Sequence, residues 1–597
     1  MKKRHEVPEE LTWNTKDLYP TEEAYEADLN ELPGMIADFV EKYKGKLSDP
    51  ELIAASVDDM EQLTQKMSRL GTFANLEISA DMTDDKAVKR MGKLQMVMSG
   101  LMSEISFYQS ELGKLEADLI EQAIERRGEP TMLLENILRA KPHQLTPETE
   151  KAFAAMSPVM NGFYNIYEQM KQADMQFESF EVDGEEYPLS FVLFENRYNY
   201  SPNTEIRRKA FDNFSKTLNA YKNGMAQNYI NHVMREKIES QLRGFDSVID
   251  YLLFEQRVDR DLYNRQIDLI MEHLAPHMRR YAKLLQKKYN LDKMTFADLK
   301  TPLDPEFAPE VSIEEGWDYA EKALAVMGDE YLDVVKSARD GRWVDFARNV
   351  GKSTGGFCST PYGVHPYILM SWTGLLSEVF TLVHELGHGV HFTLTHKEHP
   401  LLNSDCGRYA VEAPSTCNEM LLTNYLTQQS DDPRFRRWAL ASMIENTYYH
   451  NFVTHLLEAH YQREVYLALD RGEPLNANRL SELKRATLEQ FWGDDVEINE
   501  GAELTWMRQP HYYMGLYPYT YSAGLTISTV ASQNILKEGE PAVERWLDFL
   551  RAGGIHKPVD HAAIAGIDIS TEKPLMETID FIGNAIDEII KLSDELA

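Results

Sequence analysis

The chain has 597 residues, 43% of them hydrophobic, which is enough for more than one packed lobe. A formal charge of −34 excludes the basic footprint that nucleic acid or an anionic membrane requires. Three cysteines (Cys358, Cys406, Cys417), odd in number and without a CxxC pair, exclude a disulfide scaffold and fit a reducing compartment.

At the N-terminus the basic opening runs into Pro8-Glu9-Glu10, where a signal peptide would need an apolar core. No stretch approaches the roughly 18 apolar residues of a membrane span, so a cytoplasmic protein is expected. Amphipathic helical runs then cover roughly residues 21–170. Phe177 to Val182, Asp183-Gly184 and Tyr187 to Val192 read as a hairpin with a tight turn, and the lobe boundary is expected there, near residue 190. From Glu205 to Arg243 the residues Ile206, Ala210, Phe211, Phe214, Leu218 and Tyr221 recur at three- and four-residue spacing, predicting one helix that stops at Gly244. The proline-rich stretch Thr301 to Pro309 cannot be helix and reads as a surface loop, and Ser312 with Glu315 starts the next helix as a capping box. Short β-like segments follow at Trp343–Phe346, Gly355–Cys358 and Pro366–Met370, and further helix covers roughly 430–490. The expected fold is mainly α, with a small β-sheet just ahead of the helix that carries the chemistry.

That helix holds His384-Glu385-Leu386-Gly387-His388, an H-E-x-x-H match preceded by Glu378, Val379, Phe380, Leu382 and Val383 as plausible helix. Residues four apart lie one turn above each other, so His384 and His388 point two imidazoles to one side, with Glu385 about 100° around beside the same ion. The pattern alone arises by chance in roughly one such chain in twenty, so it needs a third ligand. Glu412 is the candidate, giving a His₂Glu zinc site with one open position, one Zn²⁺ per chain. Glu419, seven residues on, shares its helical face and could orient a ligating imidazole, with Glu378 as competitor. His391 falls on the same face as His384 and His388 but reads better as a hydrogen-bonded structural histidine.

Zinc held in this way polarises a carbonyl and lowers the pKa of its water toward about 7, and Glu385 would take the proton and pass it to the leaving amine. The site then needs a hydrogen-bond donor for the developing oxyanion. Pro510 to Gly524 packs His511 and five tyrosines into a glycine-bearing stretch that could be a mobile loop, and it is assigned to that task and to substrate grip. Gly355-Gly356-Phe357-Cys358 could form an edge strand lining the cleft, where a substrate backbone pairs as an extra strand.

His384 to His391, the following Glu412-Ala413-Pro414-Ser415, the tyrosine-rich stretch and the opening Leu11 to Tyr19 together resemble the thimet-oligopeptidase-like zinc metallopeptidases, most closely the oligoendopeptidase F group. Ala413 and Thr416-Cys417 depart from the Val and Gln-Met often seen beside the third ligand there, flanking the site rather than forming it. The resemblance implies His384, His388 and Glu412 as zinc ligands, Glu385 as general base, and His511 with a tyrosine as oxyanion donors. The tyrosine aligns best as Tyr519, with Tyr521 in reserve because a two-residue shift selects a neighbour. It also implies a two-lobed helical body, 1–190 and 191–597, whose deep channel admits short unfolded peptides. The competing readings are a zinc carboxypeptidase, which needs a basic residue for the substrate carboxylate, and a peptide-binding protein with a decayed site.

Overall fold

Several helices in the computed structural model, which describes residues 2–597, start where a side chain satisfies the free backbone amides. Thr21 accepts from Ala24 N ahead of helix Glu22–Tyr43, and Asp49 accepts from Leu52 N ahead of Pro50–Ala80. Asn203 accepts from Glu205 and Ile206 ahead of Thr204–Leu242, the long helix the periodicity predicts, which ends before Gly244 at φ +79°. Ser312 and Glu315 form the expected capping box, and Thr301 to Pro309 contains no helix. That stretch is not wholly a surface loop, however: Thr301 and Leu303 are buried and it lines a cavity.

The hairpin forms with a shorter second strand than its alternation suggests. Phe180–Val182 pairs antiparallel with Glu185–Tyr187, joined by Asp183 and Gly184, both at positive φ as a tight two-residue turn requires. Pro188 follows, and Ser190 caps a short helix, Phe191–Asn196, where the second strand was expected to continue.

The small sheet lies next to the motif helix as expected. Its central strand Tyr367–Leu369 pairs parallel with Val344–Asp345 and antiparallel with Phe357–Ser359, leaving the last an edge strand. The two-residue alternation of the central strand divides it between two cores. Tyr367 and Leu369 pack into an N-terminal core built from Trp13 to Leu134, whereas Ile368 and Met370 join a larger core that runs from Tyr167 to Ile589. The sheet therefore joins the two bodies, and the motif helix, Ser377–Glu398, packs directly on it. Against that helix lies Ala413–Gln429, and against this in turn lies Pro518–Glu538. Among the described residues no helix is long and apolar enough to cross a membrane.

Candidate metal centre and active site

His384 and His388 sit one turn apart on the motif helix with ring centroids 5.1 Å apart, both half-buried, while Glu385 between them is buried. The neighbouring helix brings its first residue to them. Glu412 stands at the N-cap of Ala413–Gln429, with Pro414 in the first turn where a missing amide costs nothing. Its Oε2 lies 3.4 Å from His384 Nε2 and 3.3 Å from His388 Nε2. Ligand atoms about 2.0–2.1 Å from one tetrahedral ion are about 3.3–3.4 Å from each other, so Glu412 Oε2 stands from both imidazole nitrogens at the spacing that shared coordination requires. The residues fit the ion that the motif implies.

The remaining imidazole nitrogen is accounted for. His384 Nδ1 lies 2.6 Å from Glu419 Oε1, and Glu419 Oε2 accepts from Thr447, so the carboxylate fixes the ring with Nε2 facing Glu412. Glu378, the competitor for this role, instead pins the loop ahead of its own helix by accepting from the amides of Thr373, Gly374 and Leu375. His391 is fully buried against Phe392, and neither of its ring nitrogens bonds another described residue. It is structural without being hydrogen-bonded.

Burial pushes the Glu385 carboxyl above its usual range, opposed by the two imidazoles beside it. Gly356, just before the edge strand, lies over this carboxylate: a Cβ there would stand 3.1 Å from Glu385 Oε1.

The tyrosine-rich stretch is not one loop. Pro510–Tyr513 is a turn of 3₁₀-helix, and Pro518 opens helix Pro518–Glu538, so Tyr519 and Tyr521 lie in a helical first turn. Two positions along a helix is about 200° of rotation, which separates them completely. Tyr519 is fully buried, donates to Gln256 Oε1 at 2.6 Å and packs edge-on against Tyr263, so the first choice of tyrosine points into the core. Tyr521 is half-buried, its hydroxyl 3.5 Å from His511 Nε2 and its ring stacked on His455. Burial raises its phenol far above the ordinary range, and the neighbouring Tyr517 and the charges of Glu412 and Glu458 act in the same direction, which keeps it a proton donor.

Glu458 is the residue that sequence reasoning missed. It is buried on helix His455–Asp470, and its Oε2 bonds both His455 Nδ1 at 2.8 Å and His511 Nδ1 at 3.2 Å. Those bonds hold its carboxyl well below the usual range against the cost of burial. The His-x-x-Glu spacing of His455 and Glu458 was the available signal, since it puts both on one helical face. His455, Glu458 and His511 form a second His-His-Glu group, closed by hydrogen bonds to one carboxylate oxygen, beside the candidate group of His384, His388 and Glu412.

A family model described as peptidase family M3 matches residues 197–581, and one described as oligopeptidase F matches residues 111–177. The chain belongs to peptidase family M3. It is 31% identical to oligopeptidase PepF of Bacillus subtilis over 99% of this chain and 88% of that protein. Among solved structures the M3 fold recurs in a chain from Chlamydophila abortus (TM-score 0.89, 24% identity, 99% of this chain and 100% of that one). It recurs again in oligoendopeptidase-F from Enterococcus faecium (TM-score 0.73, 20% identity, 96% and 99%). The mainly helical architecture and the resemblance read from the motifs are both borne out. As an M3 oligopeptidase the chain is a metalloendopeptidase with a candidate His-His-Glu metal site.

Proposed function

We propose that the chain is a zinc-dependent endopeptidase of short, unstructured oligopeptides, with His384, His388 and Glu412 as ligands, Glu385 as general base, and His511 with Tyr521 as oxyanion donors. The observation that carries this reading is the 3.3–3.4 Å between Glu412 Oε2 and the two imidazole Nε2 atoms, with Glu385 between the two histidines on the same helix. Two nitrogens and one carboxylate oxygen as donors favour zinc over the hard ions that prefer all-oxygen sites. When bound, zinc supplies Lewis-acid polarisation of the scissile carbonyl and acidifies water.

The chain's own groups do the rest. Glu385, in a buried position that raises its proton affinity, accepts the proton of the attacking water and returns it to the leaving amine. Glu419 holds His384 in the tautomer that leaves Nε2 free. Glu458 accepts from His511 Nδ1 and so turns its Nε2 toward the Tyr521 hydroxyl; the hydroxyl donates to the oxyanion directly and Nε2 does so as the imidazolium, and both bonds strengthen as the carbonyl oxygen gains charge. The edge strand Phe357–Ser359, close to Glu385, supports pairing with a substrate backbone and hence broad sequence tolerance.

A division at residues 1–190 and 191–597 is supported by the gap between the two family matches, although apolar residues of the hairpin such as Phe180 and Val182 pack into the larger core. A cytoplasmic location is supported by three unpaired thiols.

The test is a peptide of about ten residues blocked at both ends, incubated with and without chelator and read by mass spectrometry. Internal cuts that vanish with chelator and return with zinc are expected. Trimming confined to the free-ended counterpart would replace the endopeptidase with an exopeptidase.

A further inference from the structure

A small cavity of about 60 Å³ is lined by Glu458 and by three cations, Lys300, Lys484 and Arg508. Lys484 projects from helix Ala477–Trp492 and is only 4% exposed, yet no described residue accepts a hydrogen bond from its ammonium or pairs with it; its nearest partner is the face of Tyr461 at 5.5 Å. Lys300 is likewise without an ion pair and lies 5.9 Å from the ring of Tyr200. It follows Asp298, whose buried carboxylate is bound by Arg207 and Arg208 and so anchors this turn. Burial brings both lysines down to about 8, opposed only in part by the charge of Glu458 and, at Lys300, of Glu195.

The charges do not cancel. Arg508 is bonded to Glu195, and Glu458 gives its Oε2 to two histidines, so three cations face two carboxylates in a chain of net charge −34. A buried, unpartnered ammonium with a positive surplus around it fits an anionic ligand.

The cavity also adjoins the elements that carry the candidate oxyanion donors. Arg508 comes just before the turn that carries His511, and Glu458 is the residue that orients His511. Lys300, Tyr449 and Thr454 line this cavity and also a larger neighbour of about 740 Å³, which reaches Leu375 and Ser377 at the start of the motif helix.

We propose that this cavity binds the C-terminal carboxylate of the peptide substrate, with Lys484 and Lys300 as direct partners and Arg508 behind them, so that the cut is measured from the C-terminal end. The proposal rests on the oligopeptidase reading. An acidic side chain offers the same carboxylate, but it would have to bring the chain on both sides of it past a cavity of this size, whereas a terminus brings nothing beyond itself.

The test uses the zinc-loaded Glu385→Gln protein, which holds peptide without turning it over, and calorimetric titration with a hexapeptide as free acid, as C-terminal amide, and with an internal glutamate exchanged for glutamine. The free acid is expected to bind at least tenfold tighter than the amide, about 1.4 kcal/mol. Exchange of the internal glutamate should leave that ratio unchanged. Lys484→Met in the same background should abolish the ratio while the amide keeps its affinity within about twofold. If Lys484→Met fails to fold, Lys300→Met carries the same comparison. Equal affinity for acid and amide, a preference that follows the internal glutamate, or a ratio that survives in the lysine variants overturns the proposal. Absence of cleavage by the unmutated enzyme would count against the peptidase reading alone, because the binding ratio is read without turnover.

Discussion

Gly387 lies directly against Pro414: a methyl group on Gly387 would stand 2.6 Å from the Pro414 carbonyl oxygen and 2.6 Å from Ser415 Cα. This contact lets the helix bearing Glu412 close onto the helix bearing His384 and His388. Because both obstacles are backbone, neither can swing aside. Gly387→Ala should force the helices apart, costing about 1–3 kcal/mol of stability and much of the zinc affinity. Metal analysis after gel filtration reads this directly. Gly389→Ala is the control, since its Cβ would meet only ordinary contacts, the nearest 3.6 Å away at Pro366, and it should keep its metal.

Gly356→Ala addresses the base rather than the ligands. Its Cβ would press on Glu385 Oε1 and Thr381 Cγ2, each at 3.1 Å, without touching His384, His388 or Glu412. The expected variant keeps one zinc and loses kcat, because a misplacement of a few tenths of an ångström matters for proton transfer. Loss of metal instead would show that the glycine supports the whole sheet–helix contact.

The two tyrosines should separate in kinetics. Tyr521→Phe removes a donor facing His511 and should lower kcat by about 10²–10³, with KM little changed. Tyr519→Phe leaves Gln256 Oε1 without its donor and should cost about 1–3 kcal/mol of stability while kcat holds. Denaturant midpoints and steady-state kinetics on both variants decide the assignment, and the reverse pattern would return the role to Tyr519.

Asp298, fully buried, accepts from Arg207, Arg208 and Thr295. Burial alone would raise its carboxyl, but these partners hold it below its ordinary 3.8. A depressed acid contributes stability above its unfolded pKa and loses it as pH falls through the folded one. Asp298→Asn should therefore destabilise by about 3–5 kcal/mol at pH 7, and the deficit should shrink as pH drops below about 4. A deficit that is the same at pH 7 and pH 3 would assign the effect to packing.

Much of this was legible in the sequence because it rests on short-range rules. Helix periodicity, the Ser312–Glu315 box, the Asp183-Gly184 turn and the i,i+4 histidines are local, and each appears where its pattern puts it. Glu412 and Glu419 were readable because seven residues on a helix return to one face. The misses arise where rotation or distant packing decides. Tyr519 and Tyr521 differ by two residues, and only the start of a helix at Pro518 shows which of them faces inward. Glu458 depends on a turn 53 residues away bringing His511 to it, and Lys300, Lys484 and Arg508 share a cavity although they are far apart in sequence. No spacing rule joins such residues.

The measurement that bears most directly on the mechanism is Glu385→Gln. The variant retains the shape of the carboxylate but cannot carry the proton, and its neighbours His384, His388 and Glu412 remain. One zinc per chain together with a loss of several orders of magnitude in kcat on a blocked peptide is the predicted result. Turnover within a few-fold of the unmutated enzyme, at full zinc occupancy, would contradict the role given to Glu385.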